Sequence, residues 1–355
     1  MDQKKEQGRR LSLKEMVGTG GKEPLKKLVN DTVKSKLQME PSVRFLPHDD
    51  GFFGAFYEPK TSAFPGKAMI ICSGNEGSFN HAQAVAEKFC LEGMPALALG
   101  YWNTDGTPQD ACMIPVEYMQ SACRWLIRQK SLQPGVWGMA LGAEYALLCA
   151  SLLPEISCVI AASPIHILAN SLSFKRTVHL TDRAPFTYKG VAVPYLAINK
   201  KEAGKYSSRM LRSLLLKREP DTLFYYKEIF KNPGHPEAEI MVEKIQGPIL
   251  LLSGGRDVIA PSKWICRQIM DRLHKNDFPY AYSHHNYEIL SNYVTPARPV
   301  SASMFRVERT NRAECDASRE NCWKDIMAFL RNRWSDQPAG NEADPENTAE
   351  PDTES

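Results

Sequence analysis

Short apolar runs alternate along this chain with segments whose apolar residues recur every three to four positions, the signature of strands followed by amphipathic helices. Ser42 to Pro47 and Phe52 to Glu58 read as two strands joined through His48-Asp-Asp-Gly51, a hairpin start. Lys67 to Cys72 follows as an apolar strand, Asn80 to Leu91 as a helix, Pro95 to Tyr101 as a strand and Ile114 to Gln129 as a helix. A strand at Gly135, a run of good helix formers from Ala143 to Leu153, and strands at Ser157 to Ala162, Pro248 to Ser253 and Phe278 to Tyr282 continue the series. Helices from Pro261 to Leu273 and from Ser318 to Trp334 close it, the second with Trp323, Ile326, Met327, Leu330 and Trp334 on one face. Strands separated by helices in this way predict an α/β fold, a mostly parallel central sheet flanked by helices with right-handed crossovers.

The pattern breaks in three places. Residues 1–39 are charged and weakly patterned, an N-terminal arm with one expected helix from Pro24 to Lys36. Residues 40–336 form the expected domain, interrupted at 164–247 by basic and aromatic segments that include Phe174-Lys-Arg176, Lys189 and Lys200-Lys201. An insertion at that point is expected to cap a site at the strand ends and to select its ligand. Residues 337–355 are acidic and rich in Pro, Asn, Glu and Thr, which predicts a disordered tail.

Composition narrows the functional classes. With 355 residues and 43% hydrophobic content, one large core is expected rather than two domains. A net charge of +3 points to neither a nucleic-acid surface nor a polybasic membrane anchor. The nine cysteines lack zinc-ligand spacing, and no secretory leader opens the chain, so reduced thiols and a cytoplasmic location are expected. No apolar run approaches the roughly 18 residues a spanning helix needs. Neither phosphate-binding glycine motif occurs, and no metal or cofactor is expected.

The chemistry centres on Gly135-Val-Trp-Gly-Met-Ala-Leu-Gly-Ala-Glu144. A strand that turns sharply into a helix through Gly-x-Ser-x-Gly is a nucleophile elbow, its small residues required because the turn is crowded. Gly138 and Gly142 occupy the glycine positions, but Ala140 stands where the nucleophile belongs. A methyl group cannot attack a carbonyl. In such folds the acid follows the seventh strand and the base the eighth. Gly254-Gly-Arg-Asp257 supplies Asp257, whose alternative is to cap the next helix. Tyr280-Ala-Tyr-Ser-His-His-Asn286 supplies the base, with His285 preferred over His284 because it lies farther into the expected loop. Cys72-Ser-Gly-Asn-Glu-Gly-Ser78 is the oxyanion loop, so that Asn75, Glu76 and Leu141 are the expected oxyanion-hole residues. Cys72, Cys149 and Cys158 fall in apolar segments and are expected in the core.

From about Lys67 to Trp334 the chain resembles the C-terminal α/β-hydrolase domain of the acyl-CoA thioesterase and bile acid-CoA:amino acid N-acyltransferase family. The resemblance rests on Gly135 to Pro154, with its Gly-Ala-Glu and Ala-Ser, on Ala98-Leu-Gly-Tyr-Trp-Asn103, and on Gly255-Arg-Asp257. It implies an acyl-enzyme formed on Ser or Cys from an acyl-CoA thioester, with Asp and His assisting and water or an amino acid receiving the acyl group. Three features depart from the pattern: Ala140 replaces the nucleophile, the family's Gly-His-x-Ile-x-Pro-Pro appears only as His284-His-Asn-Tyr-Glu-Ile289, and the upstream β-sandwich has no room before Ser42. The last implies a shortened, bacterial-type architecture. Two functions follow as expectations. One is an acyl-CoA thioester hydrolase or acyltransferase scaffold inactivated at Ala140; the other is a natural non-catalytic protein that binds an acyl ligand.

Overall fold

A computed structural model describes residues 37–334, except 75–77, 174–178, 199–200, 202–203, 207, 210–211, 213–218, 220–221 and 231–235. All of the acidic tail and nearly all of the N-terminal arm therefore lie outside the described residues. The described residues from Met39 onward form one compact unit.

Eight strands build the central sheet: β1 (Val43–Phe45), β2 (Phe53–Tyr57), β3 (Lys67–Cys72), β4 (Ala96–Gly100), β5 (Gln133–Met139), β6 (Val159–Ala162), β7 (Ile249–Gly254) and β8 (Tyr282–Tyr287). Their spatial order is β1-β2-β4-β3-β5-β6-β7-β8. The first two pair antiparallel to each other, and β2 pairs antiparallel to β4. Every other neighbour in the sheet is parallel. The longer helices are α1 (Phe79–Leu91), α2 (Glu117–Lys130), α3 (Leu141–Leu152), α4 (Leu223–Phe230), α5 (Ser262–Lys275) and α6 (Arg312–Arg333). This order, reversing between β3 and β4 and growing outward through β5 to β8, is the α/β-hydrolase fold.

The sheet is covered on both faces, and its central strands are apolar at nearly every position. Ile70, Val136, Val159 and Leu251 belong to one core, and Met69, Trp137, Ile160 and Leu252 to the other. Adjacent residues of a strand thus enter opposite cores, as the pleat requires. Helix α6 seals the second core with Trp323, Ile326, Met327, Leu330 and Trp334, the residues whose spacing predicted its buried face. At its end the Trp334 indole donates to the Ser157 hydroxyl at 3.1 Å, which sets the C-terminus of α6 against the strand-start edge of the sheet.

Two details differ from expectation. The β1–β2 connection is a helical turn, Pro47–Asp50, in which the Leu46 amide donates to the Asp50 carboxylate at 2.9 Å. The last strand is displaced towards the C-terminus: it pairs from Ile249 with Tyr282 to Gly254 with Tyr287, and Phe278 instead packs beneath it, 2% exposed. Its polar Ser-His-His-Asn interior is tolerated because an edge strand need not be apolar on both faces. All nine cysteines are buried and free. Among the described residues no helix is long and apolar enough to cross a membrane.

Candidate active site

The elbow forms as its sequence demands. Strand β5 ends at Met139, α3 begins at Leu141, and Ala140 between them takes φ 51° and ψ −117°. Only small neighbours permit this turn. A Cβ on Gly138 would overlap the carbonyl of Gly142, and one on Gly142 would overlap the carbonyls of Cys72 and Ser73. The Ala140 amide donates to the Ala162 carbonyl at 2.9 Å, and its carbonyl accepts from Ala143 and Glu144. Leu141 is placed at the first position of α3, next to Ala140, while Asn75 and Glu76 lie outside the described residues.

Positive φ at a residue with a Cβ costs on the order of 1–3 kcal/mol when the surroundings impose it. Glycine adopts such a conformation freely, though its unfolded chain is looser by roughly 0.4–1 kcal/mol. Ala140→Gly is therefore expected to stabilise the fold by about 1 kcal/mol. A urea midpoint unchanged or lowered would show that the turn is unstrained.

Asp257 follows β7 at the C-terminal edge of the sheet. One carboxylate oxygen accepts from the Ile259 and Ala260 amides at 2.9 and 3.1 Å, and the other is buried without a hydrogen-bond partner. Burial pushes its pKa from 3.8 up to about 6, against the pull of the Ala260 and Ile259 amides and the nearby Ser262 hydroxyl. Those amides lie in the turn ahead of α5, whose N-cap is Pro261 without a side-chain cap bond, so Asp257 fixes the turn and does not cap the helix. Helix α4, within the 164–247 segment, docks on the same turn: the Thr222 amide donates to the Val258 carbonyl at 3.0 Å and its hydroxyl to the Ile259 carbonyl at 2.5 Å.

The expected base does not reach this place. His285 lies within β8, paired to Leu252, which pairs to Ala162, which pairs to Met139. Three strand spacings of about 4.8 Å put it roughly 14 Å from the elbow. Its ring faces α6, with Nδ1 3.6 Å from the Asp325 carboxylate and not against Asp257. His284 points to the opposite face, where its Nε2 pairs with the Ser253 hydroxyl at 2.7 Å; burial lowers its pKa from 6.5 to about 4. The assignment of His285 to a loop fails because the strand runs through Tyr287. Measured from Ile289, the histidine of a Gly-His-x-Ile pattern would fall at Tyr287, whose phenol donates to Asp325 at 2.7 Å. Counting back from the isoleucine, rather than choosing between adjacent histidines, was the signal available in the sequence.

Sequence reasoning also gave no role to Glu144. It is 6% exposed on the first turn of α3, and burial raises its pKa from 4.5 to about 8. Its charge and that of Asp257 both raise the pKa of Tyr226, after the larger effects of burial and of Tyr225 and Tyr206. Tyr226 of α4 thus feels both carboxyl groups and Tyr225 feels Glu144, within an aromatic cluster that includes Tyr206 and Phe230. Of the basic residues expected at a cap mouth, Arg176 and Lys200 lie outside the described residues. Lys201 is exposed, and the Lys189 ammonium sits 5.1 Å from the Tyr188 ring.

The sheet order and the elbow define an α/β-hydrolase. The family model described as "BAAT / Acyl-CoA thioester hydrolase C terminal" matches residues 114–335, and the chain belongs to that family. It is 25% identical over 319 residues to a peroxisomal succinyl-coenzyme A thioesterase of Mus musculus, covering 84% of this chain and 68% of the relative. It is 27% identical over 244 residues to acyl-coenzyme A thioesterase 3 of the same organism, covering 66% of this chain but 49% of that protein. Among solved structures, an esterase of Pyrococcus furiosus superposes with a TM-score of 0.41 at 16% identity, covering 84% of this chain and 100% of that one.

Proposed function

We propose that this chain binds an acyl thioester, an acyl-coenzyme A in the first instance, at the elbow and does not turn it over through an acyl-enzyme. The observation that carries this reading is a double loss at one site: Ala140 offers no nucleophile, and Asp257 engages backbone amides instead of an imidazole. Acyl transfer needs a nucleophile within about 3 Å of a base that is itself oriented by a third group. Here neither His284 nor His285 accompanies the third group. The ligand class is taken from the printed names of the thioesterase relatives. The nine buried free thiols suit a reducing compartment such as the cytoplasm.

A second reading, an acyl-CoA thioesterase or acyltransferase scaffold impaired at position 140, is favoured by the elbow's retained backbone geometry. Titration calorimetry with a non-hydrolysable S-alkyl-coenzyme A is expected to give saturable one-to-one binding. Thiol release from the matching acyl-CoA should stay at the buffer rate. A burst of free coenzyme A would overturn the proposal, as would the absence of binding across short and long acyl chains.

A further inference from the structure

The two edges of the central sheet are built differently. β1 is three residues long, carries Arg44, and is bracketed by Pro41 and Pro47. Short length, charge and proline are the devices by which natural sheets prevent further strands from adding. β8 has none of them. It is six residues long, reads Tyr-Ser-His-His-Asn-Tyr without Lys or Pro, and pairs with β7 in unbroken register with no bulge. Among the described residues nothing pairs with its outer side. About 20 Å of backbone donors and acceptors therefore lies at the rim of the sheet.

Alongside this rim runs a cleft of about 190 Å³ between β8 and the C-terminal half of α6, lined by Tyr282, Ser283, His285, Asp325, Asn332 and Arg333 among others. The charges along it are ordered. Asp325 lies beside the later part of β8, near His285 and bonded to Tyr287. Helix α6 then runs back so that its end lies at the strand-start edge, where Trp334 is fixed to Ser157, and this brings Arg333 to the beginning of β8. Eight helical residues separate Asp325 from Arg333, about 12 Å, too far for the two to pair within one chain. Arg333 has no ion-pair partner among the described residues.

We infer that β8 is a homodimer interface, in which a second copy of this chain adds its own β8 antiparallel and continues the sheet. Identical strands can lie side by side and antiparallel only about a two-fold axis perpendicular to the sheet, and that operation keeps both α6 helices on the same face. The beginning of one β8 then lies against the end of the other. Arg333 therefore faces Asp325 of the partner subunit, and the contact occurs twice. The second copy is the occupant that this charge order fits, since each end of the cleft is complementary to the other end of an identical cleft. His285, which the elbow does not use, sits near the centre of this contact.

Sedimentation velocity on the full chain over about 1–100 μM tests this, with half-dissociation expected in the micromolar range. Arg333→Glu places like charges together at both ends, and the dissociation constant is expected to rise on the order of 100-fold. Asp325→Lys should do the same, and the double variant Arg333→Glu/Asp325→Lys should restore the dimer. Because Asp325→Lys also removes the Tyr287 phenol bond, amide exchange of the unsubstituted protein gives a measure free of folding effects. Exchange in β8 should slow as protein concentration rises, and this dependence should vanish in Arg333→Glu. A monomer throughout the range, a dimer indifferent to Arg333→Glu, or concentration-independent exchange in β8 overturns the inference. Occupation of the edge by another segment of the chain would appear as the first of these.

Discussion

Ala140→Ser is expected to remain inert: no labelling by a fluorophosphonate and no acyl-CoA turnover above that of the unsubstituted chain. A serine hydroxyl is a weak nucleophile until a base takes its proton. The elbow would hold that hydroxyl correctly, since the backbone at φ 51° and ψ −117° already has the turn. Neither of the two histidines expected to take the proton is placed to receive it. His285 faces Asp325 on the α6 side and His284 is bonded to Ser253 on the other. In a working triad, loss of the nucleophile or of the base costs about as much as loss of all three groups, on the order of 10⁶ in turnover, which leaves roughly 10³–10⁴ over water. Restoring the hydroxyl alone should recover almost none of that factor. If the folded Ala140→Ser protein is labelled at position 140 and releases coenzyme A in a burst, an imidazole does reach the elbow, and the impaired-enzyme reading replaces the binding one. The two readings of the site therefore part on one substitution.

What could be read from sequence tracks how strongly local physics constrains each element. Strands β3 to β7 are buried on both faces, so their apolar runs announce them, and their alternation with helices leaves few topologies. The elbow was legible because its crowding demands glycine on both sides of position 140 whatever stands there. Asp257 was legible by position alone, and its bonds to the Ile259 and Ala260 amides were not, since any aspartate between a strand and a helix has the same pattern. β8 misled for the opposite reason. With polar residues throughout, its extent is set by backbone pairing to Ile249–Gly254 and not by its side chains. A reading that ends the strand at Tyr282 turns two strand histidines into loop histidines. Glu144 escaped notice because helical spacing shows only that it is on α3, not that α4 brings Tyr225 and Tyr226 towards it.

Asp257 offers a second large effect, through the pH dependence of stability. Its carboxyl has a pKa of about 6 in the folded chain against an ordinary 3.8, chiefly because burial disfavours the charged form. Below about pH 3 the group is protonated in both folded and unfolded chains, and burial of its charge costs nothing. As the pH rises from 3.8 to 6, the unfolded chain releases a proton that the folded chain retains, and the fold loses stability. Above 6 both are ionised and the loss is complete. Roughly two pKa units correspond to about 3 kcal/mol. Asp257→Asn keeps an oxygen for the Ile259 and Ala260 amides and carries no charge. It should therefore stabilise the protein by about 3 kcal/mol at pH 7.5 and have almost no effect at about pH 3, as read from urea midpoints at the two values. In an enzyme whose acid orients a histidine, the same substitution would cost activity, and selection would hold the unfavourable carboxylate in place for that reason. Here the carboxylate has kept its burial penalty without its histidine. It remains a charged group at the C-terminal edge of the sheet that a bound ligand's hydrogen-bond donor could meet, so ligand should protect the unsubstituted protein more than it protects Asp257→Asn. Equal stability of the two proteins at both pH values would mean that water reaches the carboxylate and that the acid turn is open.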